Sequence, residues 1–312
     1  MRRLLTVVLA SLVMTVAGAS VALAGPVVDH GRTPVPVIHH RHAPAPVPHA
    51  AVVRVGGAVS TPATLTAKQI SALAQVTLPL SGPGKTHRTV TGALLTDVVA
   101  TAGPEFDSGK NGLLRASVTI TGRFGARVTI AYGELDPGFG NHPALLTVAG
   151  NTVNLAVPGD STRFRSVTGV SAITVTALAA PITTPPAGAI TIVRGHRSVT
   201  LSAARLARLP SSTRTVSFLS GTAPQTHTEE GPSLFTVLLA AGILPLPDTV
   251  VTAVGSDGYG AAVTVGEALF GGKTLLVSLT EDGVALAQPR TVVSGDVKGG
   301  RYVSGVVTLV VG

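Results

Sequence analysis

The stretch Leu201-Ser202-Ala203-Ala204-Arg205-Leu206-Ala207-Arg208-Leu209 has a counterpart earlier in the chain, Leu65-Thr66-Ala67-Lys68-Gln69-Ile70-Ser71-Ala72-Leu73. Each predicts a short helix, because a Ser or Thr stands at the N-cap position between apolar residues spaced as a hydrophobic staple. Gln69 completes a capping box in the earlier stretch only. An internal repeat of this kind indicates a duplicated architecture.

The matches continue in the same order along both halves of the chain. Leu80-Ser81-Gly82 recurs as Leu219-Ser220-Gly221, and a Thr-His pair follows each, ending in His87 and in His227. A histidine that recurs at one place is a candidate ligand, although a lone loop histidine is more often a structural hydrogen-bonding residue.

Helix and hairpin patterns follow these loops in both halves. A second helix is predicted from Gly92 to Gly103 and from Gly231 to Gly242, because apolar residues recur there at helical spacing and Pro232 suits the first helical position. Hairpins come next, with Asp257-Gly258 as a primed turn in the second half. These elements predict a strand-rich α+β protein made of two tandem domains.

The N-terminal part of the chain differs in composition from the repeats. Residues 1–24 have the basic start, apolar run and small-residue end of a secretory signal peptide, with an uncleaved membrane anchor as the alternative. Residues 25–55 are rich in proline and histidine and predict an extended linker, either a plain spacer or a weak metal-binding tail. The repeats are placed at 56–180 and 189–312. Once the signal is cleaved, we expect an extracytoplasmic protein without a membrane span, secreted or at the cell envelope.

Composition excludes several kinds of chemistry. The 312 residues are 45% hydrophobic and 12% charged, and none is cysteine, which rules out disulfides, thiolate-held metals and cysteine nucleophiles. The formal charge of +8 comes from scattered basic residues, so nucleic acid is not an expected partner. Glu229-Glu230 and Glu281-Asp282 are paired carboxylates, but we expect them to be solvated in polar turns. No catalytic residue and no metal site is predicted.

In the order of its parts, each repeat resembles the molybdopterin-binding domain of sulfite-oxidase-type oxidoreductases. The likeness rests on the helix motif of residues 231–242, the Gly-Ser-Asp-Gly-Tyr hairpin of 255–259 and the closing segment of 295–303. The resemblance implies a mixed α+β, strand-rich fold and a pterin cofactor whose metal is held by a cysteine in the loop before the second helix. It also implies that basic residues of the closing segment approach the pterin phosphate.

Where the family has its cysteine, this chain has Ser81 and Ser220. A serine hydroxyl is a poor replacement for a thiolate, because it is usually protonated and its oxygen is a hard ligand. We therefore expect no cofactor and interpret the chain as a non-redox binding module for an anionic small molecule or a cell-wall component. The alternatives are a molybdopterin-dependent oxidoreductase with a non-cysteine ligand and a structural or adhesive spacer. The sequence does not predict an oligomeric state.

The closing segment of the second repeat contains the best candidate site. Lys298 and Arg301 flank Gly299-Gly300, which predicts either a backbone nest for a phosphate-like anion or a glycine-rich hairpin with solvated charges. Arg165 is the matching residue of the first repeat, which lacks the glycine pair. The candidate binding residues are His227, Lys298, Arg301, Ser220, His87 and Arg165.

Overall fold

The computed structural model describes residues 52–80, 88–179 and 181–312. The predicted signal peptide, residues 25–51 of the predicted linker, Ser81 and His87 lie outside the described residues. Strand β1 (Val52–Gly57) begins inside the segment predicted as linker, so residues 52–55 are strand instead. The physical reason is burial: Val53 and Val55 alternate along this strand and both enter the core.

The first repeat is a series of short strands and single-turn to two-turn helices. Its strands after β1 are β2 (Ala63–Thr66), β3 (Gln75–Pro79), β4 (Thr89–Leu94), β5 (Ala116–Thr121), β6 (Arg127–Ala131), β7 (Leu145–Ala149), β8 (Thr152–Ala156) and β9 (Ala172–Ala177). Its helices are α1 (Ala67–Ala72), α2 (Leu95–Ala100) and α3 (Tyr132–Leu135).

The second repeat has the same succession of elements. Its strands are β10 (Ile190–Arg194), β11 (Arg197–Leu201), β12 (Ser211–Ser220), β13 (Ala223–Pro232), β14 (Val250–Gly255), β15 (Gly260–Thr264), β16 (Leu275–Glu281), β17 (Val284–Val293) and β18 (Val306–Val311). Its helices are α4 (Ala203–Ala207), α5 (Leu234–Ala240) and α6 (Val265–Leu269). Within the described ranges, no helix has the length and hydropathy needed to cross a bilayer.

Strand order is identical in the two repeats. The larger sheets run β2-β1-β9-β5-β6 and β11-β10-β18-β14-β15, and the smaller sheets run β3-β4-β7-β8 and β12-β13-β16-β17. In each larger sheet the first strand of the repeat pairs in parallel with its last strand. The architecture agrees with the predicted strand-rich α+β fold, and the two matching sheet pairs indicate a tandem duplication.

The first helix of each repeat begins at its predicted cap. Thr66 Oγ1 accepts a hydrogen bond from Gln69 N at 3.2 Å, and Gln69 Oε1 accepts one from Thr66 N at 2.9 Å, which makes a capping box. Ser202 Oγ accepts a hydrogen bond from Arg205 N at 3.3 Å. Both N-cap predictions are confirmed.

The second helix of each repeat begins later than predicted. Gly92 and Gly231, the predicted starts, are residues of β4 and β13. A Cβ on Gly231 would lie 2.0 Å from the carbonyl oxygen of Val277, so the close approach of β16 to β13 excludes a side chain at this position. Pro232 ends β13, and the N-cap of α5 is Ser233, whose hydroxyl accepts a hydrogen bond from Thr236 N.

The two repeats form one compact unit and contact each other reciprocally. Ser161 N of the first repeat donates a hydrogen bond to Phe270 O of the second at 2.9 Å, and Val297 N of the second donates to Phe139 O of the first at 2.8 Å. A shared apolar cluster that includes Ala131 and Ala262 lies between them. Such paired contacts are the pattern of a two-fold symmetric interface.

Candidate functional site

A groove of about 570 Å³ opens where the two repeats meet. We call it the Lys298 groove and define it by Lys110 and Phe139 from the first repeat and by Ser220, Lys298 and Tyr302 from the second. Both lysines are exposed at its rim, whereas the aromatic rings are largely buried. A cationic rim over an apolar floor suits an organic anion better than a bare ion.

Backbone hydrogen bonds position Ser220 beside Lys298. Leu219 and Lys298 form a parallel β-bridge, and Leu219 N donates to Val297 O at 2.9 Å. The tip of the β12–β13 hairpin is thereby attached to the closing segment. Two of the predicted binding residues, Ser220 and Lys298, are brought together in this groove.

Gly299 and Gly300 allow two aromatic rings to approach the backbone. A Cβ on Gly299 would lie 2.6 Å from the ring of Phe218, and a Cβ on Gly300 would lie 2.3 Å from the ring of Phe139. Neither position accommodates a side chain while the rings stay where they are. The glycine pair predicted as an anion nest therefore also shapes the floor of the groove.

His227 is not among the residues that line the groove. Its ring stacks with Phe218 at 6.0 Å between centroids, and Phe218 in turn packs against Tyr302 at 4.5 Å. Nδ1 of His227 lies 2.9 Å from Asp282 Oδ2. This predicted binding residue is thus paired with a carboxylate and contacts the aromatic floor through Phe218.

Tyr259 connects the two repeats at the edge of the groove. Its hydroxyl donates to Gly300 O and accepts a hydrogen bond from Asn111 Nδ2 at 3.2 Å. Burial raises the pKa of Tyr259, so the phenol stays neutral. The phenol fixes the closing segment against the first repeat without adding a negative charge near the lysines.

Arg301 lies beneath the groove, with 1% of its surface exposed. Its Nε and Nη2 donate to the two oxygens of Asp296 at 2.8 and 2.6 Å. Its Nη1 and Nη2 donate to the two oxygens of Glu267 at 2.8 and 2.6 Å. The guanidinium predicted to contact an anionic ligand is instead bound on both sides by carboxylates of its own repeat, because burying its charge requires partners.

Arg165 has the same arrangement in the first repeat. It is buried, it donates to Asp160 through Nε and Nη2 at 2.8 and 2.6 Å, and its Nη1 lies 2.7 Å from Glu134 Oε1. It borders a smaller hollow of about 260 Å³ that Pro247, Asp248 and Phe270 of the second repeat also line. Like Arg301, this predicted binding residue is held by a Glu–Arg–Asp network.

The two Glu–Arg–Asp networks face each other across the interface between the repeats. A Cβ on Gly133 would lie 2.9 Å from Cδ of Arg301, and one on Gly266 would lie 3.1 Å from Cδ of Arg165, so each arginine packs against a glycine of the other repeat. Burial and, to a lesser extent, the facing charge of Glu267 raise the pKa of Glu134 to about 7. These buried charged groups lie at the interface between the repeats and interact across it.

Glu229 contradicts the expectation of solvated carboxylates. It is fully buried in β13, directly opposite Glu281 of β16, and its Oε1 accepts a hydrogen bond from Arg290 Nη1 at 3.1 Å. Arg290 also contacts the carboxylate of Glu281. The two carboxylates come together because the strands pair in register, and one guanidinium contacts both.

The chemistry of the groove does not fit a thiolate-held metal. Ser220 supplies a hydroxyl, Lys110 and Lys298 supply amines, and Asp257 supplies the one carboxylate among the lining residues. Within residues 52–80, 88–179 and 181–312, no group of three or more His, Cys, Asp or Glu side chains is arranged to hold a metal ion. The residues present therefore do not match the donor set that the family resemblance implies.

Neither a protein-family model nor a curated protein matches the chain. Among solved structures, the sulfane dehydrogenase SoxCD from Paracoccus pantotrophus is a weak structural neighbour, with 18% identity and a TM-score of 0.33. The match covers 39% of this chain and 37% of the SoxCD chain, so this chain spans little more than a third of the length of that neighbour. A function must therefore be argued from the groove itself.

Proposed function

We propose that the chain is a non-redox binding protein that takes a small organic anion in the Lys298 groove. The observation that carries the proposal is the convergence of two exposed lysines, one from each repeat, on the rim of a single groove with an aromatic floor. Lysine amines attract phosphate and carboxylate groups, and the rings of Phe139 and Tyr302 offer contact to the apolar part of a ligand.

The buried arginines have a structural role in this proposal. Arg301 uses Nε, Nη1 and Nη2 to hold Asp296 and Glu267, so the ligand is bound by Lys110, Lys298 and the backbone of Gly299-Gly300. A thiolate-held metal has no place in it, since the whole chain lacks cysteine. The predicted signal peptide supports a location outside the cytoplasm, where a cell-wall anion or a free organic anion is the expected ligand class.

Calorimetric titration with inorganic phosphate, glycerol phosphate and phenyl phosphate tests the proposal. We expect the organic phosphates to bind more tightly than inorganic phosphate, and Lys298→Ala and Lys110→Ala each to weaken binding about tenfold, as the loss of a charge-assisted hydrogen bond predicts. Lys68→Ala is the matched control, because Lys68 is exposed on α1 and does not line the groove.

Two results would overturn the proposal. The first is a titration in which none of the three anions binds or in which the three lysine substitutions have equal effects. The second is stoichiometric molybdenum or tungsten with an extractable pterin in protein purified from its native host, which would favour an oxidoreductase with a non-cysteine ligand.

A further inference from the structure

A second surface, on the first repeat, combines exposed phenylalanines with arginines. We call it the Phe–Arg face and define it by Arg123, Phe124, Arg127, Arg163 and Phe164. Phe124 is fully exposed at the tip of the β5–β6 hairpin, and Phe164 is 75% exposed. These are the two most exposed of the large hydrophobic side chains that the structure describes.

The members of the Phe–Arg face are close in space. Arg127 and Phe164 line the same hollow of about 260 Å³, where Phe164 stacks on Phe270 at 5.2 Å between centroids. Phe124 is three residues before Arg127, so their Cα atoms are at most about 10 Å apart. Arg163 adjoins Phe164 in the chain. The five residues are therefore within a few residues of one hollow.

The apolar part of the face extends beyond its two phenylalanines. Leu246 and Leu269 are about half exposed and stand next to Pro247 and Phe270, which line the hollow. Phe164, Leu246 and Leu269, three of the ten exposed large hydrophobic residues among those described, thus line this hollow or adjoin a residue that lines it. A contiguous exposed apolar surface indicates an interaction site rather than chance exposure.

The backbone holds Phe124 away from the protein. Its φ of 57° is left-handed, a conformation that bulky residues rarely adopt. Glycine flanks it on one side at Gly125, whose φ is 75°. A conformation of this kind is retained when the surrounding turn fixes it, and such positions cluster at sites of function.

The charges around the phenylalanines are positive. Arg123, Arg127 and Arg163 are all exposed, and none of the three forms a salt bridge with a described carboxylate. Asp248 is the one acidic residue among those that line the hollow. Guanidinium groups bind phosphate in a bidentate manner, so the face suits a phosphate-bearing partner.

We propose that the Phe–Arg face docks on an anionic lipid surface. A bilayer offers lipid phosphates to the arginines and an apolar interior to Phe124 and Phe164, so one partner matches both parts of the face. An anionic polymer would bind the arginines but leave the phenylalanines in water. The second repeat lacks this combination, since Ser256 and Asp257 stand where the first has Arg123 and Phe124.

Sedimentation with lipid vesicles tests the proposal on the full chain. We expect binding to vesicles of phosphatidylcholine mixed with phosphatidylglycerol and little binding to phosphatidylcholine alone. Phe124→Ser and Phe164→Ser should each weaken the anionic-vesicle affinity about tenfold, and Arg127→Gln about fivefold. Val284→Ser is the control, because Val284 is 68% exposed in the second repeat.

A fluorescent label gives a second readout that is independent of any contribution from residues 1–24. Because the chain has no cysteine, Ala126→Cys creates a single labelling position at the hairpin tip, and Ala285→Cys creates a matched exposed one in the second repeat. We expect a polarity-sensitive dye at 126 to shift to the blue with anionic vesicles, and the dye at 285 to stay unchanged. An unchanged dye at 126, equal shifts at both positions, or phenylalanine variants that bind as tightly as Val284→Ser would overturn the proposal.

Discussion

The two repeats share a buried frame and differ at the surface. Each has the same strand order and a Glu–Arg–Asp network under its closing segment. In the second repeat, Lys298-Gly299-Gly300 directly precedes Arg301 and lines an open groove. In the first repeat, Thr162-Arg163-Phe164 directly precedes Arg165, and the ring of Phe164 stacks on Phe270. The duplication kept what holds the repeats together and changed what they present to a partner.

The comparison separates structural charges from functional ones. Arginines at matching positions with matching carboxylate partners serve the fold, because both repeats need them. The lysines of the Lys298 groove and the arginines of the Phe–Arg face have no such counterparts, so they are the better candidates for recognition. Four expected outcomes test this division.

Removing either buried arginine should have the largest effect. We expect Arg301→Met and Arg165→Met each to lower the free energy of unfolding by about 3–5 kcal/mol, because two buried carboxylates lose their partner. Urea denaturation measures the change. Lys298→Ala, at the exposed rim, should change stability by less than about 0.5 kcal/mol. A loss below about 1 kcal/mol for either arginine variant would contradict the structural role.

Glu134 should make stability depend on pH. Its pKa is raised to about 7 by burial and by Glu267, from 4.5 in the unfolded chain, so the folded state binds the extra proton between those values. Its contribution to stability is complete below pH 4.5 and is lost as pH rises toward 7, by up to about 3 kcal/mol. In Glu134→Gln this loss should be absent, as chemical denaturation from pH 4.5 to pH 8 would show. Parallel pH profiles for the variant and the parent would refute the expectation.

Gly300→Phe should convert the rim of the second repeat into that of the first. The new ring would displace Phe139 and fill the Lys298 groove, at a cost of about 1–3 kcal/mol in stability. We expect organic phosphate binding to be lost while the chain remains folded, as calorimetry and circular dichroism would report. The reverse change, Phe164→Gly, should leave phosphate affinity unaltered. Retained binding in Gly300→Phe would mean that the groove is not the ligand site.

The helix caps should give the smallest effect. Thr66→Ala removes two hydrogen bonds of the threonine hydroxyl, one from Gln69 N and one to Gln69 Oε1, whereas Ser202→Ala removes one, so the first should cost about 1 kcal/mol and the second less. Thermal unfolding of the two variants compares them directly. An equal cost would show that the bond from Thr66 Oγ1 to Gln69 Oε1 adds nothing to the helix.

Local features of the fold could be predicted from the sequence, and contacts between distant segments could not. The caps at Thr66 and Ser202 and the presence of a hairpin at Asp257-Gly258 depend on neighbours within a few residues. The predicted primed turn is wrong, because Gly258 has a positive φ and Asp257 does not. The second helix was misplaced because Gly231 satisfies a helical pattern but is required by the approach of β16. Sheet pairing prevailed over the local preference there.

The candidate site shows the same division. Ser220 was predicted from a recurring motif and Lys298 from the glycine pair beside it, whereas Lys110 and Phe139, which line the same groove, belong to the other repeat and were not predicted. Arg301 was predicted to bind a ligand, and the structure buries it against Glu267, which lies far from the closing segment in the sequence. The exposure of Phe124 and Phe164 has no sequence signal beyond their position in polar turns.

The reciprocal bonds from Ser161 to Phe270 and from Val297 to Phe139 bear on the origin of the chain. A half-length chain carrying both the donor and the acceptor would form a homodimer through the same two bonds. Joining two such copies in one chain makes the contact intramolecular, and each half can then vary its outer loops independently, which identical subunits cannot do.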